Sequence, residues 1–146
     1  MKKENYSLNI LANTTAREAF KSINHISAWW TKNVEGQSKK LHDIFTVHFG
    51  ETFITLKIVE FVPYKKILWH VVDCHKHWLK NKQEWKDTMI SWEISEKKNP
   101  TEIKFTHIGL VPGLECYNGC ENAWNGYLNG SLFNLLTKEK GVPELK

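Results

Sequence analysis

The chain has 146 residues, of which 41% are hydrophobic and 25% charged, and its net charge is +4. This length fits a single domain over residues 1–146, and the balanced composition excludes a disordered or low-complexity chain. Arg17 is the only arginine. Because nucleic-acid recognition relies on arginine forks and a basic stripe, the composition argues against a nucleic-acid partner.

The first residues and the cysteines bear on location. Residues 1–5 lead straight into a strand pattern with no apolar run, so we expect no signal peptide, no membrane span and no membrane partner. Three cysteines, an odd number, in a chain without an export signal predict a cytoplasmic protein with free thiols.

Strand and helix signals alternate in the first 40 residues. Apolar alternation predicts a strand over residues 6–11. Thr15 with Glu18 three positions later is a capping-box pattern, which predicts a helix over residues 16–23. A second short helix or turn is expected at residues 26–30, and the polar run that follows, to Lys40, reads as a loop.

From residue 43 the apolar period becomes two, which is typical of strands with one buried face. The pattern predicts five more strands, over residues 43–49, 52–62, 67–72, 89–96 and 102–110. On the last two, the side chains expected to face inward are Ile90, Trp92, Ile94, Ile103, Phe105 and His107.

Residues 74–87, between the third and fourth of these strands, form a longer connection than a hairpin usually has. The segment contains Trp78 and Trp85 among charged residues. It is either a lid with two aromatic anchors or an extended hairpin whose indoles pack on the sheet edge. The tract from Cys74 to His77 is expected at the surface.

One long amphipathic helix is predicted to close the chain. Its apolar positions recur at helical spacing; they are Tyr117, Trp124, Leu128, Leu132 and Leu135. Gly119, Gly126 and Gly130 each cost an exposed helix about 1 kcal/mol against alanine. We therefore expect close approach of the helix backbone to the sheet at these glycines, or room left there for a ligand.

The order of these elements, with Ala28-Trp29-Trp30, Val59–Pro63 and Thr106–Leu110 followed by Trp124, resembles the START-like or SRPBCC superfamily. Within it, the chain is similar to the AHSA-type branch, named after the activator of the heat-shock-protein ATPase. The resemblance covers nearly the whole chain.

This resemblance implies an α+β helix-grip fold, also seen in birch-pollen-allergen-like proteins. Such a fold has a curved antiparallel sheet of about six strands, two short helices after strand one, and a long C-terminal helix over a hydrophobic cavity. The superfamily ranges from lipid carriers through cyclases to chaperone cofactors, so fold does not settle function.

Ten residues are predicted to line or gate that cavity. The aromatic and apolar residues would supply contact area, and the polar pair His107 and Glu121 would fix the orientation of the ligand. The predicted ligand-binding residues are Trp29, Trp30, Phe45, Val47, Trp92, Phe105, His107, Cys120, Glu121 and Trp124.

Cys116 and Cys120 stand four residues apart on the predicted helix, so their side chains project from the same face. Two uses of this pair stay possible from the sequence. One is a zinc-type site completed by His107 and Cys74, and the other is a reversible disulfide between Cys116 and Cys120. Helical cysteines at this spacing lack the short chelating loop of structural zinc sites, and buried free cysteine is common. We therefore expect no metal and no cofactor.

The sequence predicts a protein that binds a small, largely apolar molecule, and no standard catalytic motif is present. Two alternatives stay open. One is a chaperone-cofactor-like interaction module that uses its outer surface, with a chaperone as partner. The other is a small cyclase or hydrolase in which His107 and Glu121 share acid-base work. The oligomeric state, monomer or homodimer, is not determined.

Overall fold

The computed structural model describes residues 4–96 and 100–144. In chain order the strands and helices of the first half are β1 (Tyr6–Ala12), α1 (Ala16–Asn24), α2 (Ile26–Trp29), β2 (Val34–Gly36), β3 (Ile44–Phe49) and β4 (Thr52–Val62). Those of the second half are β5 (Lys66–His75), β6 (Met89–Ser95), β7 (Thr101–Ile108), α3 (Tyr117–Asn125), a π-helical segment (Gly126–Leu132) and α4 (Phe133–Lys138).

The strands form one antiparallel sheet in the order β1-β7-β6-β5-β4-β3-β2. The predicted α+β helix-grip architecture is confirmed. The sheet has seven strands rather than about six, because β2 forms inside the predicted loop and pairs Val34 with Val47. Three residues are too few to show an alternating pattern, so the sequence gives no sign of this strand.

The final helical stretch runs from Tyr117 to Lys138 and changes to π-helical geometry in its middle. A Cβ atom added to Gly126 or Gly130 would meet nothing within 4 Å, so the expected close approach to the sheet is wrong for these two glycines. Both instead belong to the π-helical segment. Within the described residues, no helix combines the length and the apolar character that a membrane crossing requires.

The inner face of the sheet carries the predicted core. Ile90, Trp92, Ile94, Ile103, Phe105 and His107 are all buried, as the alternation indicates. On β5, Ile67, Trp69 and Val71 are the inward residues and are fully buried.

A bulge interrupts β5 near its end. Leu56 of β4 pairs with Val71, whereas the next residue back, Thr55, pairs with Asp73, so Val72 is an extra residue without a partner. Because side chains alternate between the two faces of a strand, one extra residue changes which of the following side chains point inward.

Candidate functional site

Aromatic side chains fill the centre of the space between sheet and final helix. The ring centroids of Trp92 and Phe105 are 4.8 Å apart, and those of Phe105 and Trp124 are 4.6 Å apart. Five residues predicted to line a cavity lie in this core, each at most 1% exposed: Trp29, Phe45, Val47, Trp92 and Phe105. None of them borders the pocket described next.

A pocket of about 360 Å³ opens beside this core, where the β3–β4 hairpin, the segment after β5 and helix α3 meet. It is lined by Trp30, Phe49, Gly50, Thr52, Ile54, Lys76, Trp78, Trp85, Gly119, Cys120, Ala123, Trp124, Tyr127 and Glu144. Of the predicted site residues, Trp30, Cys120 and Trp124 are brought together here. Aromatic rings dominate the walls, so the pocket suits a flat or apolar molecule.

His107 is a fully buried member of the core network beside the pocket. The indole N–H of Trp124 donates to His107 Nδ1 at 3.1 Å, so Nε2 holds the ring proton and donates to Thr88 Oγ1 at 2.9 Å. Thr88 in turn donates to the carbonyl of Trp85 at 2.6 Å. Burial, with a smaller contribution from Lys76, lowers the pKa of His107 to about 3. Both nitrogens are occupied, and the ring stays neutral.

Glu121 lies apart from this network. Its carboxylate accepts a hydrogen bond from Tyr117 at 3.2 Å, and it does not border the pocket. The structure therefore does not bring together the His107 and Glu121 pair that the sequence suggested for orientation or acid-base work. The reason is the geometry of the helix, which points Trp124, and not Glu121, at His107.

Lys76 is a pocket residue that the sequence analysis missed. It was expected at the surface, but it is only 7% exposed, and its Nζ lies 3.9 Å from the Trp85 ring centroid and 5.5 Å from that of Trp78. The bulge at Val72 explains the error, because it moves Cys74 and Lys76 to the inner face. Burial lowers the pKa of Lys76 to about 8.

The segment that follows Lys76 is fastened to the start of α3 by two reciprocal carboxylates, which we term the carboxylate clamps. Glu84 accepts the backbone N–H groups of Glu115 at 3.0 Å and Cys116 at 2.9 Å. Glu115 accepts those of Lys80 and Asn81, at 3.0 and 3.4 Å to the same oxygen. Helix α3 has no cap from its own side chains, so Glu84 supplies one.

The two indoles of this segment are placed differently. Trp85 is buried, with its ring stacked 5.8 Å from that of Trp124. Trp78 is 58% exposed at the pocket rim, near Gly119. Trp85 therefore anchors the segment on the core, as in the extended-hairpin interpretation, whereas Trp78 is free of the core.

The cysteines differ from the expectation of free thiols. Cys116 and Cys120 form a disulfide, with Cα atoms 5.5 Å apart, whereas Cys74 is free and buried. One helical turn brings the two Cα atoms within the range that a disulfide permits. Burial raises the pKa of Cys74. Among the described residues, no group of three or more His, Cys, Asp or Glu side chains could hold a metal ion.

Comparisons with known proteins identify relatives by structure alone. No protein-family model and no curated protein matches the chain. The solution structure of the Aha1 dimer from Colwellia psychrerythraea has a TM-score of 0.76 at 20% identity, with 94% of this chain and 98% of that one covered. Protein MLL2253 from Mesorhizobium loti has a TM-score of 0.72 at 10% identity, covering 94% and 99%.

A third similar structure is DynU16, a protein of the dynemicin biosynthetic locus. Its TM-score is 0.70 at 11% identity, and 96% of this chain matches 49% of that one. Identities this low show the fold and nothing about activity. By its architecture and these likenesses, the chain has the helix-grip fold.

Proposed function

We propose that this protein binds a small, largely apolar molecule in the pocket between the β3–β4 hairpin, the segment after β5 and helix α3. The observation that carries the proposal is an aromatic-walled pocket of about 360 Å³ that remains beside a densely filled core. Its volume falls in the range of about 300–1,000 Å³ typical of small-molecule sites.

The walls support binding rather than chemistry. The partly exposed rings of Phe49 and Tyr127 supply accessible apolar surface to the pocket. Trp30 and Trp124, each at most 1% exposed, pack behind them, so this surface rests on a fixed support. His107, the candidate base of the cyclase or hydrolase alternative, has both nitrogens engaged by Trp124 and Thr88. The geometry therefore favours a binding protein.

A matched pair of helix variants tests the proposal. Ala123 lines the pocket, whereas its exposed neighbour Asn122 does not. We would titrate each protein with the neutral fluorescent probe N-phenyl-1-naphthylamine, which brightens in apolar sites. Ala123→Phe should fill the pocket entrance and weaken probe binding by about tenfold or more, and Asn122→Phe should leave it unchanged. Equal affinities for both variants would reject the pocket as the site.

Native mass spectrometry of gently purified protein would identify the natural ligand by its mass. The intact mass, compared with the mass after denaturation, should show a discrete organic increment that is absent from Ala123→Phe. An increment that persists in Ala123→Phe would place the bound molecule elsewhere.

The interaction alternative keeps one observation in its favour. The structural relative from Colwellia psychrerythraea is described as an Aha1 dimer, and Trp78 is an exposed aromatic side chain of the kind that interfaces use. Under this second proposal, the protein associates with itself as a homodimer or with a chaperone. Sedimentation of the wild type and of Trp78→Ala tests the homodimer, because loss of a dimer in the variant would place Trp78 in the interface. The proposed location is the cytoplasm, where the Cys116–Cys120 disulfide would form reversibly.

A further inference from the structure

Lys76 differs from Lys82 of the same segment because it is buried without an oxygen partner among the described residues. Lys82 Nζ, a few residues further on, donates to the carbonyl oxygens of His77 and Leu79 at 2.9 and 2.8 Å. Lys76 Nζ lies against the faces of Trp78 and Trp85, and none of the ion pairs among the described residues includes it.

Glu84, the acidic residue whose charge acts on Lys76, is hydrogen-bonded elsewhere. Both carboxylate oxygens of Glu84 accept backbone N–H groups at the start of α3, so Glu84 favours the charged form of Lys76 from a distance but forms no ion pair with it. A buried ammonium without a counter-ion is costly, and proteins keep such groups mainly where a partner arrives from outside.

A second buried donor lies in the same wall. The indole Nε1 of Trp85 has no hydrogen-bond acceptor among the described residues, although Trp85 is only 4% exposed. Indole N–H groups usually find a partner when they are buried. The indoles of Trp69 and Trp92, in the core, share this unpaired state, so the positive charge of Lys76 distinguishes this part of the wall. Lys76 and Trp85 are in contact and both border the pocket.

The rest of the pocket has the opposite character. Phe49 and Tyr127, which are partly exposed, present apolar surface. The one acidic residue of the lining, Glu144, is exposed and accepts a hydrogen bond from Tyr127 at 3.4 Å. A ligand that matches both parts needs an apolar, preferably flat body and one acidic group at its end.

We infer that the pocket takes an amphipathic organic anion, whose carboxylate, sulfonate or similar acidic group pairs with the Lys76 ammonium while its apolar body lies against the indoles. The inference rests on the proposed binding function and narrows it to a ligand class. It also gives Lys76 the role of the residue that selects for charge.

Two probes with nearly the same ring system test this inference. N-phenyl-1-naphthylamine is neutral, and 8-anilinonaphthalene-1-sulfonate is the same compound with an added sulfonate. Each would be titrated into the wild type, into Lys76→Met, which keeps the length of the side chain without its charge, and into Lys80→Met, which removes an exposed lysine of the same segment.

The wild type should bind the sulfonate more tightly than the neutral probe. Lys76→Met should weaken binding of the sulfonate by about tenfold or more and leave the neutral probe within about twofold, whereas Lys80→Met should change neither. Circular dichroism would verify that the variants are folded.

The remaining outcomes separate the two claims. If both probes bind and Ala123→Phe blocks them, but Lys76→Met affects both equally or neither, the pocket stands and the anion inference is overturned. If neither probe binds the wild type saturably, the proposed function fails and the inference fails with it.

Discussion

The Lys76 ammonium lies 3.9 Å from the centroid of the Trp85 ring, inside the wall of the pocket. Burial lowers the pKa of this lysine from 10.5 to about 8. Between those two values the unfolded chain binds a proton that the folded chain does not, so the free energy of unfolding falls as the pH drops from 10.5 to 8 and stays reduced below it.

Lys76→Met should therefore make the protein more stable. Each pKa unit is worth about 1.4 kcal/mol, and the lost cation–π contact offsets about 1–2 kcal/mol of the gain. The expected net increase in the free energy of unfolding near neutral pH is about 2 kcal/mol. Urea denaturation measures it, with Lys80→Met as the control that should change stability by less than about 0.5 kcal/mol. A destabilised Lys76→Met would mean that Lys76 serves the fold and not a ligand.

Binding of an anionic ligand should weaken in mildly alkaline solution. The ammonium of Lys76 is present below a pH of about 8 in the empty pocket and is lost as the pH rises through that value. Cys74 and Glu84 favour its charged form, and His107, which is neutral, does not compete with it. The affinity for 8-anilinonaphthalene-1-sulfonate should thus fall above pH 8 in the wild type and stay flat in Lys76→Met, as fluorescence titrations across this range would show.

Acid should destabilise the protein through His107. Burial lowers its pKa from 6.5 to about 3. Between these two pH values the unfolded chain binds a proton at His107 that the folded chain does not bind. Above pH 6.5 His107 therefore does not reduce the free energy of unfolding. Below pH 6.5 the free energy of unfolding falls by about 1.4 kcal/mol per pH unit until the pH reaches about 3.

His107→Gln isolates this effect, because the amide can accept from Trp124 and donate to Thr88 without titrating. Between pH 7 and pH 5, the wild type should lose about 2 kcal/mol more stability than the variant. Urea denaturation at both pH values measures the difference. Parallel losses in the two proteins would show that His107 titrates normally in the fold.

Removing the cap from α3 should cost stability. Glu84→Ala leaves the N–H groups of Glu115 and Cys116 without their acceptor, and the expected loss is about 1–2 kcal/mol. Glu121→Ala, which removes a carboxylate with a single hydrogen bond to Tyr117, should cost less than about 0.5 kcal/mol. Thermal unfolding of the two variants side by side would reveal equal effects if Glu84 were not a cap.

Counting the reactive thiols tests the pairing of Cys116 with Cys120. In denaturant without reductant, an alkylating agent should label Cys74 alone, and after reduction it should also label Cys116 and Cys120. The disulfide closes a short loop, so reduction should lower the free energy of unfolding by no more than about 2 kcal/mol. Labelling of all three thiols before reduction would contradict the pairing.

Much of the fold could be predicted because its signals are local. Thr15 accepts a hydrogen bond from the backbone of Glu18, as the capping-box pattern indicates, and strict alternation on β6 and β7 assigns their inner faces correctly. The site was less predictable. Trp29 and Trp92 pack in the core while Trp30 borders the pocket, and an aromatic residue looks the same in sequence in either place.

Lys76 shows where local reasoning fails. Its inward orientation depends on Val72 having no partner across β4, which is a property of pairing between strands and leaves no mark in the alternation of one strand. The carboxylate clamps cannot be predicted from the sequence either. Glu84 and Glu115 are separated by 31 residues, and each looks like an ordinary surface charge.

The carboxylate clamps also have a kinetic consequence. The amide hydrogens of Glu115 and Cys116 are held by the segment after β5, and those of Lys80 and Asn81 are held by the start of α3. Neither side can expose its amides to solvent while the other remains in place, so the four amides should exchange with deuterium together, as one cooperative unit. That shared opening would also move the segment that supplies Lys76, Trp78 and Trp85 to the wall of the pocket.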